Sequence, residues 1–227
     1  MYKKTTTTII EETDADIFGG SFKASPSKGV FTDATPENSA TGVAIRMSLM
    51  QHYNKFVSEL REYLVSKQTT PDAVPVIVSA LSKFKDETAQ IMTPYTGFTL
   101  TPKIVQAQEE VINGMLGVID SVSAGQNANA VTEAARAKIL AFDKVLTSGF
   151  APNILPEGSV ATYWNSLLSA VTQQANSRTA KDWVADQAAV VTGFDTMVFG
   201  PPTGVVGFAD ALGRAVVLNN PNRWIVG

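Results

Sequence analysis

His52 is the only histidine in this chain of 227 residues, and with it goes any general base working near neutral pH through an imidazole. There are no cysteines, which removes disulfides, thiolate metal sites and cysteine nucleophiles together. A Ser–His–Asp arrangement must be built on His52 or not at all. His52 follows Leu49 by three residues and precedes Phe56 by four, at the edge of an apolar stripe. That spacing favours an imidazole hydrogen-bonded in the core or at its rim over a ligand or a proton shuttle. Di-iron carboxylate bundles need Glu-x-x-His on two helices; one histidine cannot serve twice, and Leu49 stands where the glutamate belongs. HExxH fails for the same reason. Glu109 and Glu110 adjoin, but helical neighbours point about 100° apart, so the pair reads as solvated charge. GPPTGVVG, residues 200–207, lacks the Gly-Lys-Ser/Thr ending and follows no buried strand, so it reads as a helix breaker. Trp164 and Trp183 fall on inward faces and read as core. The chemistry thus points to no catalytic, cofactor-binding or metal-ligating residue, hence to a protein that is not an enzyme and carries no cofactor. The alternative is a ligand- or metal-binding bundle in which His52, Asp86 and Glu110 converge on a degenerate site.

The element that holds His52 is Thr41–Lys67. Ile45, Leu49, Tyr53, Phe56, Leu60 and Leu64 recur there at steps of three and four, with Lys55, Ser58, Glu59, Arg61 and Glu62 mostly opposite. Thr41 offers an N-cap. At about 1.5 Å per residue this helix runs about 40 Å, long enough to be a spine. Thr70–Pro71 starts a second helix carrying Ile77, Leu81, Phe84, Thr88 and Ile91, broken at Thr93–Gly97. Thr101–Pro102 starts a third, with Ile104, Gln108, Val111, Met115, Val118 and Val122 inward. A fourth begins at Asn129 or a neighbour, holds Val131, Ala135, Ile139, Phe142 and Leu146 inward, and ends at Gly149. Ser159 caps a fifth with Val160, Trp164, Leu167, Leu168 and Val171 inward. A sixth runs from near Ala180 to Phe194, and a seventh from Val205 to Leu218 with Phe208, Leu212 and Val216 inward. Nothing alternates long enough to build a sheet, although Met197–Phe199 and Val205–Val206 look strand-like. The expected fold is all-α: an antiparallel bundle of six to seven helices over residues 41–227.

Residues 1–40 differ. A threonine run, an acidic stretch at Glu11–Asp16 and Gly/Ser/Pro turns give no period, yet Ile9, Ile10, Ile17, Phe18, Phe22, Val30 and Phe31 punctuate them. A disordered tail and an extended arm that clips onto its own domain or a neighbour are both open; the aromatics speak for the arm. The basic start MYKK is followed by threonines where a signal peptide has its apolar core. No stretch reaches 18 apolar residues without a charge, so no membrane span is expected. The formal net charge is −3 and the basic residues are scattered, which argues against nucleic acid as the partner.

The order of several short motifs resembles a family of uncharacterised all-helical proteins of bacteria and large DNA viruses. Their first-helix histidine motif falls on Leu49–Phe56, where His52 alone is kept. Their Pro-Tyr-x-Gly turn falls on Pro94–Tyr95–Thr96–Gly97, an Asp-aromatic-x-x-Asp step on Asp182–Asp186, and an Ala-Asp pair on Ala209–Asp210. The likeness spans about residues 41–215. Family members carry a Glu-His pair in the third helix and a histidine in the fifth; those positions fall here on Gln106–Ala107 and on Leu167 or Leu168. The resemblance therefore implies a helical fold whose histidine site has been stripped, leaving a scaffold. Its viral branch, with the apolar-studded arm, implies a structural or assembly protein, a minor capsid or virion-associated component. It would bind other protein subunits, in homo- or hetero-oligomers, through the arm. The setting would be intracellular, the virion being the specific one offered.

Overall fold

The computed structural model describes residues 39–150, 154–177, 193–198 and 207–219. The expected arm, most of the expected sixth helix and the 200–203 breaker lie outside them. Among the described residues lie five α-helices: α1 (Ala40–Thr69), α2 (Val74–Ser123), α3 (Asn129–Gly149), α4 (Ser159–Asn176) and α5 (Phe208–Leu218). Residues 193–198 are also helical, which replaces the strand-like reading of Met197 and Val198. No strand occurs among the described residues, and the fold is all-α.

α1 begins two residues earlier than its period suggests. Ser39, not Thr41, is the N-cap: its hydroxyl accepts from Gly42 N at 3.0 Å. It ends at Thr70, which lies before Pro71 and is driven out of the helical region by the proline ring. Ile45, Leu49, Tyr53, Phe56, Leu60 and Leu64 are all buried, as their spacing requires. The expected helix start at Thr70–Pro71 is a short 3-10 turn, Pro71–Ala73, before the α-helix proper.

α2 is a hairpin. Helical geometry continues from residue 74 to 96 and from 98 to 123, with Gly97 alone outside it at φ 74°, ψ 175°. The break expected over five residues is thus one residue wide. Those angles are open to glycine and almost nothing else. Threonines line the bend: Thr96 Oγ1 and Thr101 Oγ1 lie 2.7 Å apart, and Thr101 Oγ1 donates to the carbonyl of Gly97 at 2.7 Å. Pro94 and Pro102 flank it, each withholding a backbone donor near the tip. The two arms run back side by side, tied by Lys85 Nζ to Glu109 Oε1 at 2.6 Å.

With the two arms counted apart, six α-helical rods and the helical residues 193–198 stand among the described residues. α3 lies close on the second arm, because Gly114 presents no side chain: a Cβ there would meet Ala135 at 3.3 Å. α4 is not capped by Ser159, whose hydroxyl turns to Pro156 O. Its N-cap residue is Gly158, and the capping group comes from α3. Asp143 accepts from Gly158 N at 2.9 Å through Oδ2 and from Ala161 N at 3.0 Å through Oδ1. Two orphan donors of α4 are therefore satisfied by one buried carboxylate. At the centre Trp164 meets the rings of Phe56, Phe142 and Phe208 at 5.7–5.8 Å and that of Tyr53 at 6.4 Å. Edge-on and tilted contacts of this kind give the core its shape as well as its apolar area.

Candidate functional site

His52 faces the first arm of α2, at the margin of the α1 stripe. Its ring lies flat on Phe84, centroids 3.9 Å apart and planes 5° from parallel, and only 5% of the residue is exposed. Nε2 lies 2.7 Å from Thr88 Oγ1, and Nδ1 lies 3.4 Å from Glu87 Oε2. Glu87 turns its other oxygen to Lys55 Nζ at 2.5 Å. Thr88 and Glu87 are adjacent in sequence, so one turn of helix supplies a partner for each ring nitrogen. Burial holds the His52 pKa down at about 4; Lys55 works in the same direction and Glu87 against it. The Glu87 carboxyl is held below its usual range, first by the hydrogen bond from Lys55.

Carboxylate, imidazole and hydroxyl stand here in the connectivity of a Ser–His–Asp triad. Here, though, the hydroxyl is sealed: Thr88 is fully buried, so an acyl group has no approach to Oγ1 in this conformation. What the arrangement does is fasten α1 to the hairpin.

The other residues singled out by sequence are not gathered around His52. Asp86 is exposed, and the carboxylate beside the ring is its neighbour Glu87. Glu110 is exposed on the second arm while Glu109 pairs with Lys85, so the two point apart as helical geometry demands. Gln106 is exposed, whereas Leu167 and Leu168 are core. Among the described residues no three His, Asp or Glu side chains are grouped to hold a metal ion. Trp183 and the Asp182–Asp186 step lie outside the described residues.

Compared with family models, curated proteins and solved structures, the chain matches none.

Two motif positions have structural work. Asp210, in the first turn of α5, accepts from Arg46 Nε at 2.5 Å and from Arg214 Nε at 2.9 Å. Gly213, one turn on, lets Arg46 of α1 approach to where a Cβ would sit 2.9 Å from its side chain. Pro94–Gly97 forms the hairpin tip, and just beyond it Phe98 is 89% exposed. Phe98 borders a groove of about 360 Å³ between the arms, with Ala89, Thr93, Pro102 and Val105 along it. Sequence reasoning passed over Phe98 because it sits between two break signals and belongs to no stripe. No helix among the described residues is long and apolar enough to cross a membrane.

Proposed function

We propose that this chain is a structural or assembly protein: a helical scaffold that binds other protein subunits through exposed apolar residues. The observation that supports this best is Phe98. A large aromatic side chain presented to water at the tip of a hairpin is of a type enriched in protein–protein interfaces. The bend that carries it is held by Gly97, two prolines and paired threonine hydroxyls, so little backbone freedom remains to be lost on docking. The apolar residues of the first 40 positions, Phe18 and Phe22 among them, add a second means of attachment. The resemblance to viral and bacterial helical proteins makes a minor component of a virion the specific form of this proposal.

Native mass of the full chain tests it. Assembly gives a mass above the 24.2 kDa of one chain, alone or with the partner it recruits. Phe98→Asp, and separately Phe18→Asp with Phe22→Asp, should lower that mass while leaving the helical circular dichroism intact. A single-chain mass for the unaltered protein, with no partner retained and no response to either variant, would overturn the reading.

A further inference from the structure

The protons around His52 have few places to go. Thr88 Oγ1 stands 2.7 Å from Nε2 and 2.9 Å from the carbonyl oxygen of Phe84. A threonine hydroxyl has one hydrogen, so it donates to the ring or to that carbonyl. Glu87 Oε2, 3.4 Å from Nδ1, can only accept while ionised. A neutral ring satisfies all of them in one tautomer, with Nδ1–H directed at Glu87 and Nε2 accepting from Thr88. The other tautomer would set an Nδ1 lone pair against the carboxylate. On gaining a proton, Nε2 becomes a donor; the Thr88 hydroxyl then turns to Phe84 O and its oxygen accepts. No heavy atom has to move.

We propose that His52, Thr88 and Glu87 form an acid-sensitive latch between α1 and the hairpin, closed while the buried ring is neutral. The charges facing the ring are Glu87 from the first arm and Lys55 from α1, with Glu59 behind Lys55 at 4.0 Å. Asp86, next to Glu87, is exposed. On α1 the neighbouring Tyr53 is met by Trp164 of α4 and Phe208 of α5, which bring rings and no charge. One carboxylate shared with a lysine does not offset the burial of an imidazolium lying flat on Phe84. Charging the ring therefore favours an arrangement in which the first arm lifts from α1 and the ring meets water. The low His52 pKa agrees with this geometry.

Because the chain has one histidine, ring ¹⁵N spectra of the full protein report on this site alone. At neutral pH the spectrum should show the Nδ1–H form, and the ring should titrate near pH 4. Amide protection over residues 77–92, corrected for intrinsic exchange, should fall by up to about 100-fold between pH 7 and pH 4. Thr88→Val removes the acceptor the charged ring needs and should move the titration lower still, as should Glu87→Gln. An Nε2–H tautomer, a titration near the ordinary value of 6.5 or protection indifferent to pH would each overturn the latch, and all three are read on the unaltered chain.

Discussion

Tyr53 and Gln108 meet across the core, Gln108 Nε2 donating to the tyrosine oxygen at 2.8 Å, both side chains buried. The amide oxygen of Gln108 has no partner, so the pair is satisfied on one side only. Tyr53→Phe strands the Gln108 amide and should destabilise the fold by about 1–3 kcal/mol in urea unfolding. Adding Gln108→Leu to that variant removes the stranded group, so the double variant should recover most of the loss; a loss that simply adds would deny the coupling. At this scale the sequence was legible up to the point of partnership. Thr88 and Gln108 were readable as polar residues on apolar stripes, and His52 as a rim histidine. Their partners were not, because Thr88 lies 36 residues from His52 and Gln108 lies 55 from Tyr53. Periodicity says which way a side chain faces, and not which residue of another helix it faces.

α4 depends on a residue of another element for its start. Asp143 lies beside Phe142 on the inner face of α3, where a carboxylate among Ile139, Phe142 and Leu146 is out of place unless it has donors to meet. That mismatch was the available signal, and Ser159 hid it by offering a conventional cap. Asp143→Ala leaves two amides unmet and should cost about 2 kcal/mol, with α4 amides losing protection first; Ser159→Ala should change stability by only a few tenths of a kcal/mol. At the other bend, Gly97→Ala forces a side chain into angles it does not adopt and should cost about 1–3 kcal/mol, although no atom lies within 4 Å of the added methyl. Stability curves of the three variants check all of this together. The bend itself was readable from Pro94 and Gly97. Its one-residue width was not, since threonine hydroxyls and not a loop make up for the missing backbone bonds.

The molecule as a whole should be most stable between two titrations. On the acid side the folded state holds His52 at about 4 against 6.5 unfolded, so between those values the unfolded chain binds more protons. The contribution is complete above pH 6.5 and is lost as pH falls toward 4, amounting to about 3 kcal/mol. Glu87, lowered by Lys55, acts with the same sign further down. On the alkaline side burial raises Tyr53, Tyr63 and Tyr163, so their contributions are complete below pH 10 and are lost above it. Urea midpoints across pH 4–11 should therefore trace a plateau with two falling limbs. His52→Gln should flatten the acid limb, and Tyr53→Phe should weaken the alkaline one. An acid limb unaltered by His52→Gln would assign it to the carboxylates alone.

α2 spends fifty residues on two antiparallel arms that a single peptide unit at Gly97 turns back on each other. Straightened, the same residues would make a rod of about 75 Å, and each arm would lose its neighbour. The nearest equivalent surface would then belong to another copy of the chain, whose own second half fits the vacated place without any change of sequence. Residue 97 is thus where a closed protomer and an intertwined pair would diverge, and native mass after refolding over a range of protein concentrations tests for the second.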